Sequence, residues 1–205
     1  MSITYPLTLP KVPSQYVLTQ NNNNAMTASI FTGQQYVYDW TGQWWSVSIQ
    51  FPTNDRAAYS TLLAFIAALK GKGGTFYFGP MGKEATPLGA GGGTPLVNGG
   101  SQGGNSVLIT DGWPNSTTVL KAGDFFSIGT GSGVHLYRAL EDVVSDSSGN
   151  ATFACFPNVR SVTADNDIIT ITNPVGIFRA SDDVSYTLGA GSFYTSISIN
   201  AIEVI

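Results

Sequence analysis

One histidine and one cysteine limit the chemistry that this 205-residue chain can perform. His135 is its only imidazole and so its only candidate for the base of a Ser–His–acid triad. No Gly-x-Ser-x-Gly nucleophile elbow accompanies it. The run Gly129-Thr130-Gly131-Ser132-Gly133 is a glycine-rich tip that carries a serine. His135 therefore reads as a residue at a strand or loop edge. Cys155 shares the period-two phase of Phe153. It reads as a small buried apolar residue, not as a thiolate in an open electropositive setting. One thiol excludes an internal disulfide framework and a multi-thiolate zinc site, and one imidazole excludes a multi-histidine site.

Carboxylates fall at Glu141-Asp142, Asp146, Asp165, Asp167 and Asp182-Asp183. Loops of this kind can hold calcium, but the EF-hand spacing is absent, and Asp beside Gly, Asn or Ser is ordinary turn chemistry. The glycines between Gly89 and Gly104 lack the Lys-Ser/Thr ending and the following helix of a phosphate loop. No catalytic residue, cofactor or metal is expected, and the chain reads as a non-enzyme.

The aromatic residues are the stronger candidates for function. Trp40, Trp44, Trp45 and Trp113 can build a core, stack on sugar rings or anchor a protein interface. Trp45, Val47, Ile49 and Phe51 alternate with Ser46, Ser48 and Gln50, a strand with one buried face. Trp44 then lies on the opposite face. Gly42-Gln43 suits a tight turn, with Tyr36–Trp40 as the partner strand. The run Asn21, Asn22, Asn23, Asn24 reads as an exposed loop or hairpin tip.

Other elements follow. Pro52-Thr53-Asn54-Asp55 offers a helix cap, and Ala58, Leu62, Phe65, Ile66 and Leu69 form one apolar helical face. Lys70 and Gly71 close that helix, with Gly71 free to take positive φ. Gly73-Gly74 leads into a short strand, Thr75–Phe78. Residues 79–106 mark a crossing into a second unit. Short strands follow at Val107–Thr110, Val119–Leu120, Phe125–Ile128, Leu136–Leu140, Thr152–Phe156 and Ile168–Ile171, a pattern of small barrels and sandwiches. A final hairpin pairs Val184–Leu188 with Phe193–Val204 around Gly189–Gly191. Its last strand buries Ile197, Ile199 and Ala201.

Charged residues are 11% of the chain, against roughly 25% in an ordinary soluble domain. Nine Lys and Arg against thirteen Asp and Glu leave a net charge of −4. No footprint for nucleic acid or an anionic membrane is expected. The N-terminal segment lacks the basic and apolar regions of a signal peptide, so synthesis in a cytoplasm is expected. Asn115-Ser116-Thr117 and Asn150-Ala151-Thr152 match the glycosylation pattern and read as turns.

The order of these elements resembles a known family. Gly42-Gln43-Trp44-Trp45-Ser46-Val47-Ser48-Ile49-Gln50-Phe51-Pro52 leads into a helix ending Leu69-Lys70-Gly71-Lys72-Gly73-Gly74-Thr75-Phe76. Leu120–Ile128, Leu136–Leu140, Val143–Gly149, Pro157–Arg160 and Asn173-Pro174 are similar to the inserted unit of the same proteins. From about residue 28 onward the chain resembles distal tail and tail-tip proteins of long-tailed bacteriophages. The resemblance implies a mainly β fold with one helix. A β-sandwich ring domain is expected from residues 1–80 plus 181–205, with an inserted small barrel of the oligonucleotide-binding type over 81–180. It implies a structural virion component at the tail tip, a ring, expected to be a homohexamer. That ring would join the tail tube protein to the hub or tip protein and to side fibres. The expected subunit-contact residues are Asn21, Asn22, Asn23, Asn24, Tyr36, Tyr38, Trp40 and Trp44. The alternative is a carbohydrate-binding or host-adhesion module with Trp113 and tyrosines exposed on the barrel.

Overall fold

The computed structural model describes residues 3–160, 163–189, 193–195 and 197–205. In chain order the elements begin with β1 (Leu7–Thr8), β2 (Gln15–Ala28), β3 (Gln35–Phe51), β4 (Asn54–Asp55), α1 (Arg56–Leu69) and β5 (Phe76–Phe78). Next come β6 (Leu96–Val97), β7 (Val107–Asp111), β8 (Thr118–Leu120), β9 (Phe125–Ile128), β10 (His135–Ala139), β11 (Val143–Val144), β12 (Ala151–Phe156) and β13 (Ile169–Thr170). The chain closes with β14 (Gly176–Ala180), β15 (Thr187–Leu188), β16 (Phe193–Thr195) and β17 (Ile197–Glu203). The protein is mainly β with one α-helix and a small barrel.

Helix α1 forms where the sequence punctuation predicts it. The Asp55 carboxylate accepts the Ala58 N–H at 2.7 Å, an N-cap that satisfies an otherwise orphaned donor. Tyr59, Leu62, Phe65 and Leu69 are buried, one residue in four or three along a single stripe. The helix stops at Lys70, which itself adopts the left-handed conformation at φ 52°, followed by Gly71 at φ 62°. Lys70 thus joins Gly71 in the left-handed stop.

The main sheet has the strand order β1-β5-β14-β17-β3-β2. Along β17 burial alternates strictly, with Ile197, Ile199, Ala201 and Glu203 inward. Facing them along β3 are Trp45, Val47, Ile49 and Phe51. The helix and the small sheet β15-β16-β4 share this core, with Tyr59 and Tyr194 rings 6.5 Å apart. Strand β14, assigned by the sequence to the inserted segment, pairs instead with β5 and β17 in the main sheet. Its Gly176-Ile177-Phe178 burial explains why, since Phe178 packs against Phe76 and Phe78. Only Thr187–Leu188 of the expected strand 184–188 is extended. It turns back through a Gly189 N–H bond to Phe193 O, and Ala190 and Gly191 lie outside the described residues.

The second sheet runs β13-β9-β10-β12-β7-β6 and nearly closes, because Leu96 bridges to Ile168. Its interior holds Leu108, Trp113, Phe126, Tyr137, Phe153, Cys155 and Val159. Cys155 is buried as its alternation predicts, and burial pushes its thiol up to about 12.

The two passages of chain between sheet and barrel run side by side. At Gly79 a Cβ would stand 1.9 Å from the Pro174 carbonyl oxygen, on the returning passage. No side chain fits there without moving backbone. Gly79→Ala is expected to lower the unfolding free energy by about 3 kcal/mol, as overpacking at rigid sites does. Denaturant unfolding of the purified variant checks this.

Candidate subunit interface

The expected contact residues converge on one structure, though not by the expected route. The sequence reads Gly42-Gln43 as a tight turn between two strands. Instead β3 runs from Gln35 to Phe51 and pairs with β2 on both sides of the Thr41-Gly42 step. The actual turn lies at Ser29–Gln34. Gly42 sits beside an irregularity in the ladder between Asn22 and Asn24, where Thr41 takes φ 59°. A glycine here serves a bulge, with Asn23 lying close over it at 3.0 Å from where a Cβ would be.

The asparagine run is likewise no loop or tip. Asn21, Asn22, Asn23 and Asn24 lie within β2, opposite Trp44, Gln43 and Asp39. An edge strand with both faces wet tolerates asparagine, because neither face demands an apolar side chain. Asn21 also fixes the root of the hairpin. Its Nδ2 donates to Ser46 Oγ at 2.9 Å and to the Trp44 carbonyl at 3.3 Å. Trp44 is half-buried and faces away from fully buried Trp45, as alternation predicts.

Beyond this root the hairpin becomes a free arm. Residues 24–28 pair with 35–39 to its turn. Five residue pairs and the turn project roughly 20 Å at about 3.3 Å per residue. Tyr36, Tyr38 and Trp40 are exposed on one face. Met26 and Val37, directly opposite each other in register, are exposed on the other. At the tip Ile30 and Phe31 are 95% and 97% exposed. Met26, Ile30, Phe31 and Val37 were not singled out by the sequence. A usable signal was present, because residues 15–51 contain a single charged side chain, Asp39. A two-stranded ribbon with two bare faces is marginal in water and finds stability by packing on something.

The hairpin root and β17 are anchored to the barrel through a buried polar junction. Glu203 Oε2 accepts from Arg160 Nη2 at 2.9 Å and from the Trp45 N–H at 3.2 Å. Its Oε1 accepts from the Leu136 N–H at 3.3 Å. Trp45 Nε1 donates to the Leu136 carbonyl at 3.0 Å. The Trp45 indole packs on Phe156 and Phe125, and the Arg138 guanidinium lies 4.1 Å from the Phe125 ring centre. Nearby, the Asn158 N–H donates to Gln43 Oε1 at 2.8 Å, tying the hairpin root to the barrel.

Burial pushes the Glu203 carboxyl up to about 7, against the pull of Arg160 and two backbone N–H donors. His135, whose Nδ1 stands 4.0 Å from Glu203 Oε1, is held below its ordinary value by burial and by Arg160. Tyr137 is raised by burial, and its hydroxyl accepts the Arg160 N–H. The signs of the first two oppose. A raised Glu203 stabilises the fold fully below the ordinary carboxyl value and loses that contribution as pH rises through about 7. A lowered His135 stabilises above its ordinary value and loses that contribution as pH falls. Glu203→Gln is expected to abolish the first slope and leave stability rising with pH. Denaturant titrations between about pH 5 and about pH 8 check this.

The Glu203 side chain is fully shielded from solvent, and its bonds fasten β17 and the hairpin root to the barrel. Among the described residues no three His, Cys, Asp or Glu side chains converge as a metal site. Trp113 is 4% exposed, and its Nε1 donates to Thr110 Oγ1 inside the barrel, so it offers no sugar platform. No helix among the described residues is long and apolar enough to cross a membrane. No protein-family model matches the chain, and no curated protein matches it significantly.

Proposed function

We propose that this protein is a structural, non-enzymatic subunit that assembles with copies of itself into a ring at the tip of a bacteriophage tail. Six copies is the expected number. The observation that carries the reading is the arm, a two-stranded ribbon with apolar side chains bare on both faces and one charge in the 37 residues 15–51. Such a surface is stable when covered and costs little desolvation of charge on docking. A closed ring copies one heterologous contact around an axis, and a projecting arm is suited to making it. The phage assignment itself rests on the order of Trp44-Trp45 strand, capped helix and Gly-Thr-Phe strand. In this reading the ring joins the tail tube protein to the hub or tip protein. The ring leaves the lumen open for tape measure and DNA, and the barrel faces outward as a platform for side fibres. Mass measurement and negative-stain imaging of the purified protein, alone and with tail tubes, test it. Rings on tube ends are the expected result. A protein that stays monomeric and is absent from virions overturns it.

A further inference from the structure

A cleft of about 460 Å³ opens beside the passage of chain that enters the barrel. Lys83, Glu84 and Leu88 line it from that passage, and Ala122, Asp124 and Arg138 line it from the barrel. Its two buried or half-buried charges differ in how they are matched. Asp124 is satisfied, because its carboxylate accepts the backbone N–H groups of Lys121, Leu88 and Gly89 at 2.7, 2.9 and 3.1 Å. Arg138 is not. Its guanidinium stands 4.1 Å from the Phe125 ring centre and 5.5 Å from that of Trp45, and this packing holds it in place. Among the described residues it belongs to no ion pair. The arginine side-chain hydrogen bonds there are those of Arg160 and Arg179, and Arg138 makes none. Its Nε is fully shielded, so Nη1 and Nη2 are the groups left to reach the cleft. Burial holds the Arg138 guanidinium below its ordinary value, against the pull of Glu84 and Tyr16. This is a half-buried cation short of a counterion.

We propose that this cleft binds a carboxylate, paired at two points with the Nη groups of Arg138. The open end of a guanidinium presents two N–H donors at the spacing of the two carboxylate oxygens. Lys83, exposed at the rim, adds a second positive charge, and Thr86 adds a hydroxyl. Glu84 and Asp124 line the same cleft and disfavour a dianion such as phosphate, since each added negative charge meets theirs. The volume and the position at a junction of two units are those of small-ligand sites. The carboxylate belongs to a small organic acid or to an acidic side chain of a neighbouring protein. None of these residues lies on the hairpin arm, so this site and the ring contact stand or fall separately.

Heteronuclear NMR of the arginine Nε–H groups in the full chain reads binding directly. Shielding of the Arg138 Nε slows exchange of its proton and keeps that signal visible. Through-space contact with the Phe125 ring assigns it. The titrants are sodium acetate, the blocked peptide acetyl-Gly-Glu-Gly-amide, inorganic phosphate, and sodium chloride at matched ionic strength. The expected result is a saturable shift at Arg138 with acetate or the peptide, none with chloride, and no saturable shift at exposed Arg56. Lys83→Ala is expected to weaken the binding several-fold, and Glu84→Gln to tighten it several-fold by removing a competing carboxylate; both positions are exposed. A peptide that saturates below acetate assigns the ligand to a neighbouring protein, one that does not assigns it to a free acid, and both uphold the site. Phosphate saturating before either overturns the carboxylate assignment. A response at Arg138 no different from that at Arg56 overturns the site. A response confined to Glu84→Gln means that Glu84 fills the fork in the parent chain, and also overturns it.

Discussion

Arg160→Leu is expected to lower the unfolding free energy by about 3–5 kcal/mol at alkaline pH, the cost of stranding one member of a buried ion pair. Among the described residues Arg160 is the only Lys or Arg paired with the Glu203 carboxylate, at 2.9 Å, and both side chains are almost wholly shielded. Removing it leaves two backbone donors, from Trp45 and Leu136, to hold an anion in an apolar setting. The carboxyl then escapes by taking up a proton, which it does more readily than in the parent because the opposing positive charge is gone. The loss must therefore shrink as pH falls toward about 7, because the variant's carboxyl is already protonated where the parent's is still ionised, and it levels off below that. Replacing both members by leucine is expected to recover most of the loss, because buried pairs often exchange for packed apolar side chains at little cost. Thermal and denaturant unfolding of the parent and the two variants between about pH 6 and about pH 10 supply the readout. A loss below about 1 kcal/mol at the alkaline end, typical of an exposed pair, contradicts the fastener role.

The second large effect concerns association. Tyr38→Asp with Trp40→Asp places two carboxylates on an arm face that carries none, since Asp39 falls in the opposite phase with Val37. Both side chains are more than half exposed, so the folded monomer loses little packing, and its stability is expected to change by less than about 1 kcal/mol. Association is expected to be lost, because each new charge has to be desolvated against a neutral partner. Sedimentation of parent and variant at matched concentrations reads this out. The parent is expected to sediment as a defined oligomer and the variant as a monomer with an unchanged unfolding transition. A variant that assembles like the parent shows that the arm is not the contact.

The elements visible in the sequence were those specified locally. Helix α1 carries its own cap at Asp55 and its own stripe through Leu62, Phe65 and Leu69, so neighbours a few residues apart suffice to define it. Strand β17 carries its alternation in seven consecutive residues. The long hairpin lacked such a local signature. Gly42 and the asparagine run are turn-like residues, and the same residue types also serve bulges and exposed edge strands. What distinguishes the two is pairing between β2 and β3, which joins residues up to 35 positions apart, as at Gln15 and Gln50.

The junction was invisible for the same reason. Trp45, Arg160 and Glu203 come together from separations of 158 and 43 residues. One clue lay in β17, since Glu203 falls in the inward phase of Ile197, Ile199 and Ala201. A carboxylate on a buried phase calls for a cation and donors, and Arg160, Trp45 and Leu136 supply them. The contact residues read from the sequence, Asn21–Asn24, Tyr36, Tyr38, Trp40 and Trp44, do share one hairpin, but as root and arm of a single ribbon.

The most direct measurement of the central claim is the native mass of the purified protein across a concentration series. One discrete closed oligomer is expected, six copies of the 21.6 kDa chain, with monomer as the other major species. A monomer at every concentration, or an open ladder of sizes without a preferred closed species, contradicts it.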